Sequence, residues 1–139
     1  MTSSSRPPSP SRPPPRPGTY RVRCLSDAVS ETVFEGFLTS DVFAAADAEY
    51  WRVLGSMKAL PYAVMDGTGI SGFDRAIASS AAPALDLFKE RGGQEYLMVT
   101  TSAPFRMLGS ALAASCRVSI RFFDTRASAF ERLRQLGAW

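Results

Sequence analysis

Histidine is absent from all 139 residues, and with it the commonest general base, proton shuttle and metal ligand at neutral pH. Catalytic triads and zinc sites built on histidine are excluded. Cysteine is scarce: Cys24 and Cys116 are too few for a disulfide framework and form no ligand-spaced pattern. Each is expected to be a small buried hydrophobe. No apolar run reaches the roughly 18 residues that mark a membrane helix. The N-terminus is rich in Pro, Ser and Arg where a secretory signal would need an apolar stretch. The expectation is a cytoplasmic protein without a membrane partner.

Acidic residues are missing from the first 18 positions, which hold Arg6, Arg12, Arg16 and seven of the ten prolines. This segment, 1–18, cannot bury a core and is expected to be disordered with polyproline II character. It reads as a solubilising extension or as a ligand for a proline-binding module. Removing its three arginines from the 16 basic residues leaves 13, against 13 acidic. The single domain expected over 19–139 is thus electroneutral, despite a pI near 9.2. A phosphate backbone needs a concentrated basic face, and Arg126, Arg132 and Arg134 are the one local candidate. Nucleic acid is not an expected partner.

Beyond Gly18 the pattern becomes regular. Tyr20, Val22 and Cys24 alternate with Arg21 and Arg23, as in a strand, and Val33–Leu38 makes a second. Ser26-Asp27, in a loop of about five residues, makes the pair a hairpin. Thr39-Ser40-Asp41 then offers caps for a helix carrying Phe43, Asp47, Tyr50 and Leu54. Pro61–Met65 is a short apolar run suited to a central strand covered on both faces, followed by a glycine-rich loop, Gly67–Gly72. Ile77, Ala81, Ala84, Leu85 and Phe88 draw one stripe down a second helix that ends at Arg91-Gly92-Gly93. Tyr96–Val99 is a fourth strand, and Ser102 with Pro104 opens a third helix bearing Phe105, Leu108 and Leu112. Val118, Ile120 and Phe122 form a fifth strand. Asp124 or Thr125 caps a last helix with Phe130, Leu133 and Leu136 on one face. The order β-β-α-β-α-β-α-β-α predicts an α/β fold, with a mixed, mostly parallel sheet and helices packed on it.

The sharpest motif is Gly67-Thr68-Gly69-Ile70-Ser71-Gly72, which spells G-x-G-x-x-G between a strand and a helix. Gly67, Gly69 and Gly72 would then shape an anion site against a helix N-terminus, and nucleotide or other anionic small-ligand binding is the alternative reading. Against it, two strands and a helix precede the motif, and Val99-Thr100-Thr101 stands where a ribose-binding acid belongs. Ser71-x-x-Asp74 also reads as a capping-box variant. Asp66 and Asp74 flank the loop and would be the carboxylates of any histidine-free catalysis, but a loop brace and a helix cap are the expected roles. Trp51, Phe123 and Trp139 are read as core, or in the last case as a loose terminus.

This order of elements, with Phe34–Ser40, Ala63–Asp66 followed by Gly72-Phe73-Asp74, Arg91-Gly92-Gly93 and Pro104, resembles the STAS domain of bacterial anti-sigma-factor antagonists and of sulphate-transporter tails. The resemblance spans residues 20–136. It implies a non-enzymatic regulatory signalling module without a cofactor or metal, whose partner is a protein, kinase-like or anti-sigma-like. By the same resemblance, docking uses the loop and the N-terminal end of the second helix: here Thr68, Ser71, Phe73, Asp74 and Arg75. The family's switch is a Ser or Thr after the Asp. Here Asp74-Arg75-Ala76 places an arginine there, which mimics neither a hydroxyl nor a phosphoserine. Ser71, Ser79 or Ser80 are the remaining candidates for phosphorylation, and a homodimer through an edge strand is an open expectation.

Overall fold

The computed structural model describes residues 17–139. The expected N-terminal extension lies outside the described residues except at its end, where Pro17 already forms a parallel bridge with Phe37. The hairpin is Thr19–Cys24 (β1) and Val29–Leu38 (β2), in antiparallel register from Thr19 opposite Glu35 to Cys24 opposite Ser30. The turn closes because Ser26 Oγ accepts from the amides of Ala28 and Val29, both at 3.1 Å. β2 therefore begins at Val29, earlier than the apolar alternation indicated.

Thr39 caps helix α1 (Ser40–Leu54), its Oγ1 accepting from the Val42 amide at 3.2 Å. Gly55, at φ 60°, supplies the left-handed residue that ends it. Strand β3 (Tyr62–Phe73) is followed by α2 (Ile77–Glu90), β4 (Glu95–Val99), α3 (Ala103–Cys116), β5 (Ile120–Phe123) and α4 (Arg126–Gln135). Ser102 and Thr125 cap α3 and α4, accepting from Phe105 and Ser128. Of the two caps proposed for α4, the structure uses Thr125.

The five strands lie in sequence order, with β1 antiparallel and the other pairs parallel. Each crossover steps the same way along the sheet, so α1, α2 and α3 share one face. Their apolar stripes, including Ala46, Ile77, Ala81, Leu85, Phe88, Phe105 and Leu112, pack on Phe34, Met65 and Met98. The opposite face belongs to α4, whose Ala129, Phe130 and Leu133 cover Val29, Val64, Leu97 and Val99. Each large side chain fully buried in this way contributes about 1.5–3 kcal/mol.

Two carboxylates are buried at the rim of the α4 face. Glu31 is 0% exposed, yet Arg23 donates to its Oε1 at 2.7 Å and Arg126 to its Oε2 at 2.6 Å. Burial alone would raise the Glu31 carboxyl, but the hydrogen bonds and charges of Arg126 and Arg23 outweigh it and hold the group below its ordinary value. Glu95 forms ion pairs with Arg121 and Arg132.

Cys116 is buried as expected, whereas Cys24, at the end of β1, is exposed. Trp51 is half-buried against the larger core. Phe123 packs with the smaller one. Trp139 remains 48% exposed and sets its ring edge-on to Phe130, with centroids 5.0 Å apart.

Candidate functional site

β4 accompanies β3 only from Tyr62 to Asp66. Beyond Asp66, β3 continues beside β2 alone, and the pair ends with Leu38 opposite Phe73. The glycine run expected as a loop is thus a strand, with irregular register between Val33 and Glu35 and again between Gly36 and Phe37. The glycines serve the close approach of β2 side chains. A Cβ on Gly69 would come within 2.9 Å of Glu35 Cγ, and one on Gly72 within 3.2 Å of the Phe37 ring.

This geometry removes the premise of the anion-site alternative, because Gly67, Gly69 and Gly72 stand in a paired strand and α2 opens only at Ile77. The capping-box reading fails for the same reason. Ser71 is an exposed strand residue, and the α2 N-cap, Ala76, has no side-chain cap. Asp74 supports the turn instead, its Oδ1 accepting from the Ala76 amide at 2.9 Å. Asp66 and Asp74 sit eight residues apart across this extended stretch, about 25 Å at strand rise, and do not form a carboxylate pair.

Of the expected contact residues, Thr68, Ser71, Asp74 and Arg75 are exposed at this end of the sheet. Phe73 is not a free anchor: it packs on the larger core, edge-on to Phe105 with centroids 5.2 Å apart. Thr68 is tied down, since its amide and hydroxyl both donate to Asp66 Oδ1, at 3.0 and 2.7 Å. Ser79 is exposed and its hydroxyl donates to the Ala76 carbonyl at 2.7 Å, while Ser80 is half-buried.

Between the unaccompanied part of β3 and the start of α3 lies an open cleft of about 330 Å³, walled by Ile70, Ser71, Gly72 and Phe73 on one side and Thr100, Ser102, Pro104 and Phe105 on the other. Its floor is stiff. Thr100 Oγ1 accepts from the Ser102 amide at 3.1 Å, and the Arg106 guanidinium donates to the Thr100 carbonyl at 3.1 Å while also pairing with Asp124. None of Thr100, Arg106 and Asp124 was marked as a site residue by the sequence, since their convergence depends on β4 and β5 ending where α3 begins. A second cavity, between α1, α2 and the sheet, measures about 50 Å³ and includes Asp47, Tyr50, Trp51 and Tyr96 in its lining. Small-molecule sites run to about 300–1,000 Å³, so of these two the outer cleft is the one with room for a ligand.

No family model matches the chain, and no curated protein matches it. Solved structures do. An uncharacterized DUF3478-family protein with a SpoIIAA-like fold, from Shewanella loihica, aligns with a TM-score of 0.58 at 15% identity, covering 84% of this chain and 93% of its own. SpoIIAA of Bacillus, a cell fate determinant in its phosphorylated form, gives a TM-score of 0.60 at 12% identity over 83% of this chain and 99% of its own. The fold is SpoIIAA-like. An anti-sigma factor antagonist from Mycobacterium paratuberculosis also carries this fold, with a TM-score of 0.54 at 14% identity over 85% of this chain and 95% of its own. On the SpoIIAA-like frame, the cleft and the exposed residues Ser71, Asp74 and Arg75 share the end of the sheet where the parallel strands finish. No helix among the described residues is long and apolar enough to cross a membrane.

Proposed function

We propose that this SpoIIAA-like chain is a non-catalytic, cytoplasmic regulatory module that docks a protein partner through the end of β3 and the start of α2. The observation that carries this reading is the strand extension itself. It lifts Ser71, Asp74 and Arg75 clear of β4, where they are exposed beside an open cleft. Thr68 and Phe73 belong to the patch as its supports, one bound to Asp66 and the other to Phe105. Arg75 occupies the position where the STAS resemblance places a phosphoacceptor, so docking proceeds without that switch. Ser71, and less readily the hydrogen-bonded Ser79, are the hydroxyls accessible to a kinase.

The test is affinity capture from the native host lysate with wild-type protein and with Arg75→Glu, read by mass spectrometry. A partner retained by the wild type and lost from the variant is expected, since reversing a charge at a docking surface places like charges together. Equal or empty partner sets would overturn the site assignment. Titration of nucleotides into both proteins should leave the calorimetric signal flat.

A further inference from the structure

β1 lies at the margin of the sheet, and among the described residues no strand pairs with its outer side. Five of its six residues are exposed and Val22 is half-buried. Its register with β2 runs without a bulge from Thr19 to Cys24, and it contains neither proline nor glycine. The outward backbone N–H and C=O groups of about 20 Å of regular strand are therefore set for a further strand to pair with. β5, at the opposite margin, is only four residues long.

The two sides of this edge differ in chemistry. Tyr20 and Val22 stand opposite Phe34 and Thr32, on the side of α1, and Tyr20 is 40% exposed. Arg21 and Arg23 stand opposite Val33 and Glu31, on the side of α4. Arg21 forms no ion pair among the described residues, and Arg23 shares Glu31 with Arg126. Three guanidiniums thus meet one carboxylate, while Glu35 stands opposite Thr19, at the far end of the strand. Charge decides which strand can pair here. A second copy adding antiparallel across a two-fold axis sets residues of the same face opposite each other. The two registers with the greatest overlap then place Arg21 opposite itself or opposite Arg23, and like charges directly opposite destabilise a strand pair. A strand with acidic residues at those positions gains from the same arginines.

We propose that β1 accepts an extended acidic segment of a partner protein as a further strand of the sheet, with alternate carboxylates against Arg21 and Arg23 and β-branched or aromatic side chains against Tyr20 and Val22. The backbone ladder supplies affinity and the alternation supplies specificity. The same arginines keep copies of this chain from pairing with one another through this edge. β2 lies between this surface and the β3–α2 patch, and neither reading depends on the other.

The test is titration of isotope-enriched full-length protein with a capped peptide of alternating glutamate and valine, read by amide shifts and amide hydrogen exchange. Saturable shifts should centre on residues 19–24, with slowed exchange in β1, and high salt should weaken them as the charges are screened. Arg21→Glu should weaken binding at least about tenfold, since it sets like charges together, and should bind instead a peptide with lysine in place of glutamate. Arg21→Gln should fall between, with a dispersed amide spectrum showing the fold intact in both variants. Absence of saturable shifts, shifts centred on residues 70–75 and 100–105, or equal responses to the glutamate and lysine peptides would overturn the proposal. So would light scattering that finds the protein dimeric with its β1 amides already protected, which would identify a second copy as the occupant.

Discussion

The two faces of the sheet solve burial differently. Beneath α1, α2 and α3 the contact is apolar side chain on apolar side chain, broad enough that four rings, Phe34, Phe43, Phe73 and Phe105, pair within it. Beneath α4 a single helix of ten residues covers a smaller apolar patch, and Glu31 and Glu95 stand buried at its margins, each between two arginines. A face with three helices can be closed with hydrocarbon alone. A face with one helix needs its rim closed by long side chains whose stems cover apolar surface while their charges meet a buried acid.

The contrast is broken most directly by truncating the helical anchors. Phe88→Ala on α2 should cost about 3–5 kcal/mol and Leu133→Ala on α4 about 2–5, measured by urea unfolding. Because more of the chain packs around the first, its loss should lower the unfolding midpoint further. A larger loss at Leu133 would reverse the ranking of the two cores.

A smaller and sharper effect comes from pH. Glu31 has a lowered pKa, so its contribution is present above the ordinary value of 4.5 and is lost as pH falls through the depressed folded value. Asp47 on α1 is the opposite case: burial raises it, against the opposing effects of the nearby Trp51 indole and the Arg91 charge. Its charged form is disfavoured by folding, so its destabilising effect is present at neutral pH and disappears as pH falls through the raised folded value toward 3.8. Glu31→Gln should therefore destabilise at pH 7, and Asp47→Asn should stabilise. Both differences should shrink on acidification in unfolding curves taken from pH 7 to pH 3. Differences of the same sign at pH 7 would contradict the assignment.

The two cysteines give the smallest effect. Cys24→Ser should change stability by no more than about 0.5 kcal/mol, as exposed substitutions do. A thiol reagent should modify Cys24 quickly in the native protein and Cys116 only on unfolding, since burial both shields the latter thiol and raises its pKa. Rapid reaction at both would show that α3 opens readily from the sheet.

Most of the order of elements could be read from the sequence because α1, α3 and α4 declare themselves twice, by a stripe and by a cap at Thr39, Ser102 and Thr125, and α2 by its stripe alone. What could not be read depended on distant partners. Val29, Ser30 and Glu31 look like turn material beside Ser26-Asp27, and Glu31 becomes a strand residue because Arg126, 95 positions later, arrives to satisfy it. The glycine run looks like a loop by composition. It is a strand because Glu35 and Phe37 of β2 fill the space its side chains would have occupied. The exposure of Thr68, Ser71, Asp74 and Arg75 comes from β4 stopping opposite Asp66, and nothing local to Thr68–Arg75 announces that.

The position of α4 in the chain has a consequence for synthesis. Five strands and three helices emerge from the ribosome before it, and domains condense as they emerge, at about 5–20 residues per second. For the interval before α4 follows, the chain holds a completed three-helix side and a bare stripe of Val29, Val64, Leu97 and Val99 on the other. During that interval the nascent chain offers any chaperone a flat, apolar sheet face, and Glu31 waits with Arg23 alone until Arg126 arrives.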